Sequence, residues 1–512
     1  MTANSSTAVT LITGEAVSAY PPPPYSPQEF FPEYIWQEER KGSLAPAALT
    51  DVYGMVRKAF LLLGLDREHY GTDLWNPLSD IITPGDTVLI KPNLVFDSNH
   101  SGHGPDCLVT HGSVVRAVAD YAALAMQKKG RLLLGDAPVQ ACSFDAALRV
   151  SGIDSVIAHF ANRGTSIDVQ DFRNVVARAR PSGPLSQSGG PMYSNDGCIE
   201  VAVDRMSALS PLDGHADKCR VTGYDPEVMR RYHGVGVHRY LVSASVLASD
   251  VVIAVAKMKT HKKAGVTGAL KNSVGIIANK DCLPHHRVGS PSECGDEYQK
   301  KNRWKRMCSQ MLDHSNSSRG LIEKRFFGLA SRAGWAGGRL LGMDPTWEGS
   351  WPGNDTLWRT VLDINRILLF ADKSGRLSKE PQRKVLYLVD GIIAGEGNGP
   401  LSPLPKPAGI IIGGFWAPAV DAVMATVMDL DWRQIPIIRH ALGAEEALGT
   451  RVDPNEIMVV SNRDSLCGPL TLQHKMSSFV PPRHWESIRL SETPELRMNP
   501  PLKNQTAGSR CP

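Results

Sequence analysis

From Asp86 to Phe172 the chain alternates short apolar runs with amphipathic stretches, and this rhythm limits the fold more than any other feature. DTVLIKPN reads as a strand ending in Lys91, VVRAVADYAALAMQKKG as a helix closed by Gly130, and RLLLGDAP as the next strand, ending in Asp136. FDAALRVSGI is a second helix with Gly152 suited to its end, and TSIDVQDF is a third strand. Strand–helix–strand units of this length join parallel neighbours through right-handed crossovers. The expected fold is therefore α/β, a three-layer core around a mostly parallel sheet, with an irregular insertion and Pro-rich terminal arms.

Residues 1–45 read as a flexible or docked Pro-rich arm, whose aromatic residues Tyr25, Phe30, Phe31, Tyr34 and Trp36 favour docking of its second half. Residues 46–280 form a first α/β lobe, opened by a helix over 49–63 and including a strand at 198–204. Residues 281–355 are an insertion with few clear strands that can serve as a lid. Residues 356–470 continue the core with a helix beginning at TLWRT, strands KVLYLVDGI and GIIIGG, and a helix over PAVDAVMATVMDL. Residues 471–512 read as an irregular tail, and no internal repeat is visible.

The apolar run Val251–Ala256 reads as a buried strand that opens into Lys257, Lys259, His261, Lys262, Lys263, Lys271 and Asn272, interleaved with glycines. A buried strand ending in a basic, Gly-spaced loop suits an anionic ligand, because α/β proteins bind ligands at the carboxyl ends of their strands. A solvated basic loop is the alternative. K-x-K-T-H followed by T-G-A-L-K-N-x-x-G, together with VLIKPN (88–93), GDAP (135–138) and VDGIIAGEGNGP (389–400), resembles the family catalogued as domain of unknown function 362. The resemblance spans roughly residues 80–450. Some members carry an added ferredoxin-like cysteine cluster, which implies electron transfer. This chain departs from them there.

Lys91, Asn93, Asp136, Lys257, Lys259, His261 and Asp390 all fall at expected strand ends, which predicts one shared rim. Asp136 alone could equally cap a turn or helix. Lys91, Asn93, Lys257, Lys271, Asn272, Arg287 and Asn398 are the substrate-binding candidates, with Arg287 backed by the Ser290 and Ser292 hydroxyls. His261 is the acid–base candidate, with Lys259 and Glu396 as further catalytic groups. Asp136, Asp390 and Glu396 are expected to hold a divalent ion, magnesium or manganese. Glu396 also suits a general base or a partner for a sugar hydroxyl, and its Gly-rich surroundings also suit a plain structural turn.

His285 and His286, with Glu293, Asp296 and Glu297, are metal-competent types, but adjacent histidines point apart and match no zinc signature. Asp421 is expected to be structural rather than a cleft acid. The nine cysteines contain no C-x-x-C, so no iron–sulfur cluster is expected, and the odd count favours reduced thiols. A formal charge of +4 over 512 residues makes no case for nucleic acid. The first residues lack a signal-peptide pattern and no apolar run reaches bilayer length, so a cytoplasmic protein without membrane insertion is expected. The resulting expectation is an intracellular enzyme acting on a small phosphorylated or carboxylated metabolite with metal assistance. A redox protein and a noncatalytic anion binder are the alternatives.

Overall fold

A computed structural model describes residues 7–14, 17–36, 38, 51–180, 183–187 and 196–490. Six of the expected strands join four others in one sheet of ten, while the expected strand at 198–204 lies in a separate small sheet. The ten are β1 (Ala8–Thr13), β2 (Thr87–Pro92), β3 (Arg131–Asp136), β4 (Asp168–Asp171), β5 (Val251–His261), β6 (Gly265–Thr267), β7 (Lys384–Asn398), β8 (Ser402–Gly414), β9 (Met458–Ser461) and β10 (Gly468–Pro469). The order across the sheet is β10-β9-β1-β8-β7-β5-β2-β3-β4, with β6 folded back on β5. Strands β7, β5, β2, β3 and β4 are mutually parallel, while β8 runs antiparallel to both β7 and β1.

Side-chain alternation along β5 shows the three layers directly. Val251, Ile253 and Val255 enter one apolar cluster, and Val252, Ala254, Ala256 and Met258 enter the other. The first cluster is roofed by α1 (Val52–Leu62), α2 (Gly112–Met126), α3 (Phe144–Ser151) and α4 (Ile153–Ala161). The second takes helices Leu357–Phe370 and Ala417–Val427, together with the small sheet formed by Cys198–Ala202, Val237–Ser243 and His233–Gly234. A strand buried on both faces must be apolar throughout, which is why these runs carry no hydropathic alternation.

Several expectations need correction. Helix α2 ends at Met126 with Gln127 at φ 51°, and Gly130 instead sits in the turn that enters β3. The amino-terminal arm includes β1, a strand inside the sheet between β8 and β9. Its second half docks as the aromatic residues indicate: Tyr25, Phe31 and Tyr34 are buried, and Trp36 donates to Asp120 at 2.8 Å. The Gly-rich stretch 391–398 is strand, paired from Ile393↔Pro407 to Asn398↔Ser402. Pro403, Pro405 and Pro407 fall on every second residue of β8, beyond its pairing with β1, so their missing N–H groups lie along an unpaired edge. The insertion contains two helices rather than irregular chain. Residues 39–45 of the arm and 491–512 of the tail lie outside the described residues.

If β1 is integral to the sheet, Leu11→Ala should cost about 2–5 kcal/mol. A lowered urea midpoint with an unchanged slope is the expected result; a midpoint equal to that of the parent protein contradicts the placement.

Candidate functional site

The carboxyl ends of β2, β3 and β5 open onto a cavity of about 420 Å³. Six lysines line it (91, 259, 262, 263, 271 and 280), against two carboxylates, Asp136 and Glu348. Asn93, His100, His261, Thr267, Asn272, His285 and Asn398 also face it. The structure thus brings together Lys91, Asn93, Asp136, Lys259, His261, Lys271, Asn272 and Asn398 as expected. Lys257, Arg287, Asp390 and Glu396 lie elsewhere.

Part of the wall is closed upon itself. Lys91 Nζ donates to Asp136 at 2.8 Å, to Asn272 Oδ1 at 2.9 Å and to Pro92 O at 2.9 Å, which uses all three ammonium protons. The second Asp136 oxygen accepts from the Leu94 amide at 2.7 Å. A Cβ on Gly275 would lie 1.9 Å from Asp136 Oδ1 and 2.5 Å from Lys91 Nζ, so only glycine allows this approach. Asp421 is structural, as expected: it accepts from the Ala269 and Leu270 amides at 2.6 and 3.0 Å and so anchors the short helix that carries Lys271. Burial pushes its carboxyl up to about 7.

The remaining cations are only partly balanced. Glu348 pairs with Lys263 at 3.1 Å and Lys262 at 3.7 Å. Lys259, Lys271 and Lys280 make no ion pair with any described carboxylate. Lys259 Nζ donates to Asn93 Oδ1 at 3.2 Å and Leu108 O at 2.5 Å, and Lys280 Nζ to Val274 O at 2.9 Å. Loss of water lowers all three, neighbouring lysines add to it, and Asp136 opposes it in part for Lys280 and Lys259: Lys259 falls to about 7, Lys271 to about 8 and Lys280 to about 7.

Two of the three cavity histidines, His261 and His285, are fixed in opposite tautomers by backbone partners whose roles are unambiguous. His261 Nδ1 accepts from the Lys263 and Ala264 amides at 3.0 and 3.2 Å, so a neutral ring carries its proton on Nε2 and is a donor there. His285 Nδ1 meets the Leu283 carbonyl at 2.8 Å, so it must carry the proton and leave Nε2 as an acceptor. Burial, then nearby lysines, holds both imidazoles far below their ordinary range and hence neutral. This corrects the expected role of His261. As placed it donates a hydrogen bond, and His285 is the ring with a free lone pair. Residue type and adjacency singled out His285 in the sequence only as a metal-competent group.

The other expected residues have occupants of their own. Lys257 is fully buried against Asp390 at 3.1 Å and the Tyr20 hydroxyl at 2.6 Å. Asp390 also accepts from Tyr20 at 2.6 Å and from the His111 amide at 3.0 Å. Glu396 accepts from the Val480 amide at 3.0 Å and fastens the carboxy-terminal segment to β7. Arg287 lies 3.8 Å from Asp296 and Asp355, while Ser290 closes a capping box with Glu293. Asp136 and Asp390 stand on strands three positions apart, about 14 Å across the sheet. The expected metal ligands therefore do not assemble, and among the described residues no three His, Cys, Asp or Glu side chains form a metal-holding group.

The sequence model of the family described as Domain of unknown function (DUF362) matches residues 212–426. The matched stretch, less than half of the chain, is similar to that family. It contains β5 with its lysines, His285, Glu348 and the β7–β8 hairpin, whereas Lys91, Asn93 and Asp136 come from outside the match. No curated protein and no solved structure shows a significant match. Among the described residues no helix is long and apolar enough to cross a membrane.

Two outcomes check the electrostatics. Nitrogen-15 spectra should show His261 as the Nε2–H and His285 as the Nδ1–H tautomer, both neutral at pH 6; the reverse assignment contradicts the site. Because folding lowers the lysine values, the unfolded chain binds more protons from about pH 7 up to about 10.5. The lysine contribution to stability therefore rises with pH across that window. Lys280→Met should flatten the rise and increase stability at pH 7, as measured by denaturant unfolding.

Proposed function

We propose that the cavity binds a small phosphorylated or carboxylated metabolite and that the protein is an enzyme acting on it. The observation that carries this reading is the cluster of Lys259, Lys271 and Lys280, three lysines held out of water with no ion pair to any described carboxylate. Burying charge without a counter-ion is costly. A multiply charged anionic group supplies the missing counter-charge and restores the lysine protons.

Turnover, as opposed to binding alone, is supported by the two histidines beside the lysines. His261 Nε2–H is placed to polarise a substrate oxygen and His285 Nε2 to accept a proton, a division of labour that suits proton transfer next to an anionic group. Lys259, with two Nζ positions engaged and its titration near neutrality, is a second acceptor when uncharged. No step is assigned to a metal, since Asp136, Asp390 and Glu396 are separated. The redox reading gains nothing from Cys107, Cys142, Cys198, Cys219, Cys282, Cys308 and Cys467, which are free thiols scattered through the fold.

Thermal-shift titration with inorganic phosphate, pyrophosphate and small di- and tricarboxylates tests the reading. At least one probe should stabilise the protein, and Lys271→Met or Lys280→Met should weaken it about 10- to 100-fold, the loss of one charged hydrogen bond. Equal shifts in parent and variants would place the anion elsewhere. With a bound metabolite identified by native mass spectrometry, His285→Gln should retain binding and lose turnover; unchanged turnover would leave a binding protein without catalysis by this pair.

A further inference from the structure

The insertion folds into a helical hairpin, α5 (Arg303–Ser317) and α6 (Leu321–Leu340). Its inner face is closely packed. Ser331 Oγ donates to the Cys308 carbonyl at 2.9 Å, and Trp304 Nε1 to the Gly334 carbonyl at 2.8 Å. A Cβ on Gly334 would sit 2.5 Å from Cys308 Sγ. The hairpin is tied to the cavity's outer wall through Trp335, whose ring lies 4.5 Å from that of Trp347, the neighbour of Glu348.

The outer face of α6 is unlike the rest of the surface. Ile322 is 87% exposed, Phe326 64%, Leu329 58% and Leu340 89%. With Ala333 and Ala336 these residues recur every three or four positions and form a single row along the whole helix. Arg325, Arg332 and Arg339 follow at intervals of seven, two turns apart, so they line one edge of that row. All three are exposed, and none forms an ion pair with a described residue. Glu323 is the helix's acidic residue, and it faces His314 of α5 at 3.6 Å, away from the row.

We infer that α6 docks this protein onto an anionic lipid bilayer, lying in the plane of the interface without crossing it. The apolar row would enter the acyl boundary, and the three guanidiniums would reach lipid phosphates along one edge. Charge complementarity selects this occupant. A second copy docking through the same face would repeat the same arginines and bring no carboxylate to meet them. An apolar strip edged by three unpaired arginines, with the helix's one acid, Glu323, paired to His314 off the arginine edge, matches a negatively charged apolar boundary. The inference is independent of what the cavity binds.

Vesicle flotation of the full chain tests it. The protein should float with vesicles of phosphatidylglycerol and phosphatidylcholine and remain unbound with phosphatidylcholine alone. Arg325→Glu, Arg332→Glu and Arg339→Glu together should weaken partitioning at least roughly 100-fold. Ile322→Ser with Phe326→Ser should also abolish flotation, with helix content by circular dichroism unchanged for both variants. Failure to float on either vesicle, or flotation indifferent to lipid charge, overturns the inference. So does a dimer in sedimentation velocity that Ile322→Ser with Phe326→Ser disperses, since the row would then be an interface between copies.

Discussion

Lys91 and Asp136 meet at 2.8 Å where β2 and β3 end, and the same ammonium holds Asn272 on the segment after β6. Three pieces of chain far apart in sequence are thereby fixed at one sheet edge. Both side chains are almost wholly buried, so removing either partner would strand the other charge, at a cost of about 3–5 kcal/mol. Gly275 is required because any side chain there would occupy the space of the ion pair. The positions of Lys271, Lys259 and the cavity mouth follow from this junction. Lys91 contributes to the site by shaping its wall, with no proton left to offer a ligand.

Against that closed wall, the open part of the cavity holds its charges at a disadvantage. Glu348 balances Lys262 and Lys263, but Lys259, Lys271 and Lys280 form no ion pair with a described carboxylate, and Asp136, already held by Lys91, offsets the charge of Lys259 and Lys280 only from a distance. Under the proposed function, an entering anion would relieve this cost. Backbone amides and a carbonyl fix the two histidine tautomers, so the donor and acceptor are set before any ligand arrives.

Much of this was legible from residue patterns because strand ends are local features. Lys91, Asn93, Asp136 and Lys259 each follow an apolar run, and parallel pairing sends them to one edge. What failed required facing direction or distant contacts. Lys257 and Lys259 look equivalent in sequence, yet the register shifts between them and only Lys259 reaches the cavity. Glycine density around Glu396 suggested a loop, whereas the prolines at every second position of β8 were the better signal of an extended edge hairpin. Lys280, His285 and Glu348 enter the cavity through tertiary packing of the segments after β6, and nothing in their own neighbourhoods announces it. The amphipathic row of α6 is readable by its spacing, but the turn-rich composition around it hides the helix.

The central claim is that uncompensated lysines await an anion, and proton linkage tests it most directly. Isothermal titration with pyrophosphate at pH 7.5, in two buffers of different ionisation enthalpy, reports the protons exchanged on binding. Lysines lowered to about 7 or 8 are partly neutral in the free protein and should regain protons when an anion binds. The account predicts net proton uptake that shrinks in Lys271→Met and Lys280→Met. Binding without uptake, or uptake unchanged in both variants, would contradict it.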